Sequence, residues 1–133
     1  MIISLLVNEE LPLRYAAAAV EVAPMSRLFA ALGDDVRLRM IALLTHGELC
    51  VCHIEEALAL KQANASRHLA ILRAAGIVTP RREDRWVYYT LARQTDEDCK
   101  RHMKSLIASF AKKELLRDDV ARLLKAKGPG KCK

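Results

Sequence analysis

Two cysteines separated by one residue, Cys50-Val51-Cys52, are the side chains best suited to chemistry in this sequence. Thiolates are soft ligands, and two so close in the chain can chelate one thiophilic ion. The stretch around them reads as a short helix, with Ile54, Ala57 and Leu58 apolar at helical spacing. The free amides and dipole of a helix start stabilise negative charge, so both sulfurs are expected to ionise readily. Residues two apart on a helix are turned by about 200° from one another. Joint ligation would then require the helix start to unwind or tilt, displacing whatever that helix supports. The competing reading is a pair of small buried hydrophobes, a common fate of free cysteine.

A second set of residues suits a polyanion. Residues 1–60 carry four Arg against eight acids, whereas residues 61–93 carry seven Lys and Arg against two acids. Within that basic stretch Ala65, Leu69 and Leu72 recur at helical spacing, and Gly76 ends the pattern. The opposite face carries Gln62, Asn64, Ser66, Arg67 and Arg73. A polar helix joined to the helix before it by the short turn Ala59-Leu60-Lys61 has the form of a DNA-reading helix-turn-helix. Gln62 and Asn64 are candidates for base edges, and Lys61, Ser66, Arg67 and His68 for phosphate or base edges. For His68 simple packing is an equally good reading. Arg81, Arg82 and Arg85 flank Glu83-Asp84, where Ile77–Arg82 and the β-branched, aromatic run Arg85–Leu91 predict a hairpin. Its turn lacks glycine, so a long or loose tip is expected.

The elements that position these residues are mostly helical. The chain has 133 residues, 52% of them hydrophobic and 5% aromatic, which suits one compact domain of mostly α class with a small β-hairpin. A helix over 9–22 is expected to break near Pro24, followed by a helix from Met25 to Leu32 stopped by Gly33. Asp34 or Asp35 can cap the next, which runs to Gly47. A single long helix is expected from Asp96 to about Lys125, followed by a flexible basic tail at 126–133. That divides the chain into a 1–24 extension, a 25–125 body and the tail. The apolar start is too short to span a bilayer and lacks a basic leader, so a cytoplasmic protein with no membrane contact is expected. Four cysteines there would stay reduced.

The strings LFAALGDDVRLRMIALL, ELCVCHIEEAL, SRHLAILRAAGIV and RWVYYTL, in this order over about half the chain, resemble the ArsR/SmtB family of metal-responsive repressors. The resemblance implies a homodimeric winged helix-turn-helix, dimerising through its terminal helices and binding double-stranded operator DNA. ELCVCHI is similar to the arsenic-sensing box of the arsenic-responsive branch. It implies release from the operator when arsenite, antimonite or a methylated trivalent arsenical binds Cys50 and Cys52. No cofactor is otherwise required. Glu55 stands where that box commonly has a third cysteine, which leaves three outcomes open: hydroxide or a methyl group completing a two-cysteine site, recruitment of Cys99 with His102 one turn on, or recruitment of Cys132, the weaker choice. The recognition helix departs from the family pattern, with Lys61 at the usual cap and Ala63 at the usual proline. Ser109 and Lys112 occupy the distal positions of the family's zinc-type site, and residues 1–49 lack the cysteines of its cadmium type.

Two other functions compete. A thiol-redox repressor would oxidise the same cysteines instead of binding an ion. A thiol enzyme lacks support, because there is no Cys-x-x-Cys in a βαβ setting and no glycine-rich phosphate loop. Glu55 and Glu56 are adjacent, hence divergent on a helix.

Overall fold

The computed structural model describes residues 11–127, with side chains from residue 16 onward. The order is α1 (Leu11–Leu32), α2 (Asp35–Leu44), β1 (Leu49–Cys50), α3 (Val51–Leu58), α4 (Gln62–Ala74), β2 (Val78–Glu83), β3 (Trp86–Leu91), α5 (Glu97–Phe110) and α6 (Glu114–Lys127). The three strands form an antiparallel sheet in the order β1-β3-β2.

Local signals account for most element ends. Asp34 caps α2 by accepting from the Arg37 amide at 3.1 Å, and Asp96 caps α5 through the Cys99 amide at 2.9 Å; such caps contribute about 1 kcal/mol each. Gly76, at φ +75°, closes α4, and the Ile77 amide bonds back to the Leu72 carbonyl. Ala59 ends α3 in the left-handed region at φ 53°, where an L side chain costs about 1 kcal/mol. The α3–α4 turn holds it there, with the Leu60 amide bonded to the Glu55 carbonyl at 2.9 Å.

Helices α2, α3 and α4 close over one core. Met40, Ile41, Leu43, Ile54, Ala57, Ala65, Leu69 and Leu72 are buried together, with Leu28 of α1 and Ile77 beside the sheet. A Leu-to-Ala change at such a site costs about 2–5 kcal/mol, so the turn between α3 and α4 is fixed by packing.

Four expectations about elements are corrected. Helix α1 continues through Pro24 instead of breaking there. Proline forfeits one backbone hydrogen bond, to the residue 20 carbonyl, on a stretch exposed to water. The residue 24/25 boundary therefore falls inside α1. The C-terminal helix is two helices, because α6 turns back after Ala111–Lys113 and buries Asp119 and Leu123 against α2 and α3. The hairpin tip is tight, not loose: Glu83 pairs with Trp86, leaving Asp84 and Arg85 as the turn, with Asp84 at φ 54°. Aspartate tolerates that conformation better than most residues. Finally, Leu49 and Cys50 form a strand before α3 begins. Residues 128–133 of the basic tail, Cys132 among them, lie outside the described residues.

Candidate sensor and nucleic-acid site

Cys50 is the last residue of β1 and the N-cap of α3, with extended φ −69° and ψ 143°. It pairs with Tyr88 of β3 and is buried at 2% exposure. Cys52 lies in the first turn of α3. Because Cys50 precedes the helix, the 200° rotation expected between the two does not apply. Their Sγ atoms are 3.1 Å apart. This corrects the expectation that the helix must unwind to bring the sulfurs together: the strand-to-helix junction already does so.

The acidity of Cys50 is also corrected. Burial pushes its thiol above the usual range, and the Glu55 carboxylate pushes the same way. The Cys52, His53 and Val51 amides at the helix start oppose this and are outweighed. Burial likewise raises the Glu55 carboxyl. Among the described residues no group of three or more His, Cys, Asp or Glu side chains could hold a metal ion. Cys99 is accordingly not brought to the pair. It is a buried free thiol on α5, in a small cleft with Arg27, Gly76, Arg93 and Asp96, and burial raises its pKa too.

On α4, Lys61, Gln62, Asn64, Ser66 and Arg67 are all exposed, forming a polar face with a cationic edge. Lys61 occupies the N-cap without a side-chain hydrogen bond to the helix, as its chemistry requires. His68 is corrected from candidate contact to packing residue. It is 5% exposed, its Nδ1 lying 3.2 Å from Arg37 Nη1 and 3.8 Å from Asp34 Oδ1. Arg37 also donates to the Ala31 carbonyl at 2.6 Å, so one guanidinium ties the end of α1 to α4.

The hairpin presents Arg82 and Arg85 in the open, Arg85 lying 4.9 Å over the Trp86 ring. Arg81 is held differently, bidentate to Glu48 through Nε at 3.0 Å and Nη2 at 2.6 Å. Sequence reasoning assigned no role to Glu48, although it opens the ELCVCHI string. It also missed Asp119, fully buried on α6, which accepts from Arg39 Nε and Nη2 at 2.8 Å each and from Arg122. Arg122 in turn donates to the Ala57 carbonyl near the end of α3. An acid on the apolar side of a basic helix was the available signal for Asp119. No single helix among the described residues is long and apolar enough to cross a membrane.

Residues 34–79 match the family model described as "Bacterial regulatory protein, arsR family". The arsenic resistance transcriptional regulator ArsR1 of Pseudomonas putida is 43% identical over 72% of this chain and 74% of its own length. The arsenical resistance operon repressor of Escherichia coli is 45% identical over 50% of this chain and 57% of its own. Among solved structures, the homodimeric winged helix-turn-helix DNA-binding domain of Mb0332 from Mycobacterium bovis superposes with a TM-score of 0.59 at 31% identity, covering 75% of this chain and 89% of that one. Reduced HlyU from Vibrio cholerae gives 0.61 at 29% identity, covering 72% and 98%. With its three core helices, polar α4 and basic hairpin, and with these likenesses, the chain belongs to the ArsR family and is a winged helix-turn-helix, DNA-binding transcriptional regulator.

Proposed function

We propose that the protein is a homodimeric repressor released from operator DNA when a trivalent arsenical binds Cys50 and Cys52. The observation that carries this reading is the 3.1 Å separation of the two sulfurs at a strand-to-helix junction next to the recognition unit. Two thiolate bonds of about 2.3 Å, the length typical of a soft metal ion, close easily over such a gap. The names of the relatives, regulators of arsenic resistance, point the same way.

Arsenite in water is As(OH)₃. With both cysteines reduced, two As–S bonds form and two As–O bonds break, the two thiol protons leaving with the two hydroxides as water. No electron is transferred. The third hydroxide stays on arsenic. Gln62, Asn64 and Arg67 would read base edges, while Lys61, Ser66, Arg82 and Arg85 would grip phosphates. The side of α1 on which Val22 and Phe29 are exposed two turns apart would form the dimer contact.

Arsenite titrated into the reduced protein is expected to give thiolate–arsenic absorbance saturating at one arsenic per chain. Replacing Cys50 and Cys52 by Ser should abolish the absorbance and leave operator binding intact; absorbance that persists in the double variant would assign the site elsewhere. The proximity of the sulfurs also suits a redox switch, whose mark is release by peroxide and not by arsenite. Burial raises the pKa of Cys50, which weakens that reading, since thiolate is the oxidisable form.

A further inference from the structure

Cys50 is paired with Tyr88, and Tyr88 with Arg81. The three form one row across the sheet, and directly opposed residues share a face. The Arg81 guanidinium lies 4.7 Å from the Tyr88 ring centroid. Its remaining contacts lead back to the start of the row: Glu48, two residues before Cys50, takes it in a bidentate grip, and Glu83 Oε2 stands 3.5 Å from Nη1. Two of its three nitrogens are thus committed to the carboxylate on the Cys50 segment. Arg82 and Arg85 are basic neighbours at the same tip and stand exposed.

An exposed ion pair of this kind adds little to stability. A bidentate one does fix geometry. What it fixes here is the strand that carries Cys50 against the hairpin. We propose that Arg81 is not a phosphate contact but the far end of a transmission row, Glu48–Arg81–Tyr88–Cys50, through which occupancy of Cys50 shifts the hairpin on DNA. This rests on the reading of Cys50 and Cys52 as the inducer site. Because β1 has only two residues, an ion that re-sets the Cys50–Cys52 junction also moves Glu48. The carboxylate then pulls on Arg81, and β2 and β3 follow. Glu48 and Arg81 are positioning residues in this scheme, with neither touching inducer or DNA.

The test compares Glu48→Gln, Arg81→Gln and Arg85→Gln in operator binding over a salt series, with and without arsenite, occupancy being read from thiolate–arsenic absorbance. Loss of one phosphate contact lowers the slope of log affinity against log salt by about 0.9. Arg85→Gln should show that loss, and Arg81→Gln should keep the wild-type slope. At equal occupancy, Glu48→Gln and Arg81→Gln should shrink the arsenite-induced loss of operator affinity by about fivefold or more, the lower range of allosteric couplings. A slope reduced in Arg81→Gln makes it an ordinary phosphate contact, and an undiminished arsenite effect in both variants removes the row from the mechanism. If wild type shows no thiolate–arsenic absorbance, the inducer reading fails. The row is then decided in the free protein by hydrogen exchange. Glu48→Gln should speed exchange at Leu49 and Cys50 about threefold while Arg85→Gln does not, and equal exchange in the two overturns it.

Discussion

Helices α3 and α4 are consecutive, joined by a tight turn and closed over the same core, yet they are supported differently. Helix α4 faces water with its polar side and leans on α2, α3 and β2. Helix α3 is enclosed at both ends. The strand residue Cys50, paired with Tyr88, occupies its N-cap position, and Arg122 from α6 bonds the Ala57 carbonyl near its end. Behind it Asp119 binds Arg39 of α2 and Arg122, so α6 braces α3 against the body. A reading surface needs exposed side chains on a rigid frame. A sensor needs a junction whose displacement is passed on, and bracing makes a local change there felt by α2 and the sheet.

The largest effect that would break this contrast is loss of the brace. Asp119→Ala removes the acid between two arginines, and truncating one partner of a buried pair costs about 3 kcal/mol. Urea denaturation should show that loss, and hydrogen exchange should place the extra opening in α3 and α6 more than in α4. Equal opening in α4 would mean that the two helices are not separately supported.

Next in size is the reading face. Arg67→Ala or Asn64→Ala should weaken operator binding by about 2 kcal/mol if each holds a base edge, with urea stability unchanged because both side chains are exposed. Band-shift titrations on the operator and on unrelated DNA check it. A loss confined to specific DNA marks a base contact, whereas equal loss on both marks a phosphate contact.

A smaller effect concerns the packing of α4. Desolvation holds the His68 imidazole below its ordinary value of 6.5, and the Arg67 and Arg37 charges add to this while Asp34 opposes it. A depressed folded value means that the unfolded chain takes the proton first, so this stabilisation is present above pH 6.5 and is lost as pH falls through the folded value. Melting temperature measured from pH 7.5 down to 5 should fall less in His68→Gln than in wild type; parallel curves would show that His68 does not titrate on unfolding.

How far the sequence foretold all this differs between the same two helices. For α4 the spacing of Ala65, Leu69 and Leu72, the stop at Gly76 and the polar opposite face were all local signals, and the helix follows them. His68 was left open between contact and packing, because period alone does not tell a polar residue at the edge of the buried stripe from one facing water, and it is buried. For α3 the cysteines were legible and their geometry was not. Whether Cys50 begins a helix or ends a strand depends on pairing with Tyr88, a partner 38 residues away in the chain. The acidity of Cys50 followed the same course, since the helix start favours thiolate but burial from distant elements outweighs it. Helix α6 was hidden for a similar reason. No glycine or proline marks residues 111–113, and the chain turns there because Asp119, Val120 and Leu123 pack against α2 and α3.

The central claim, that the Cys50–Cys52 junction controls the reading face, is tested most directly by adding arsenite to the purified, reduced protein–operator complex and following dissociation by fluorescence anisotropy. Wild type should leave the operator as arsenite saturates the thiols, while the Cys50→Ser, Cys52→Ser variant stays bound at the same concentrations. A wild-type complex that survives saturating arsenite, or a double variant released as readily as wild type, would contradict it.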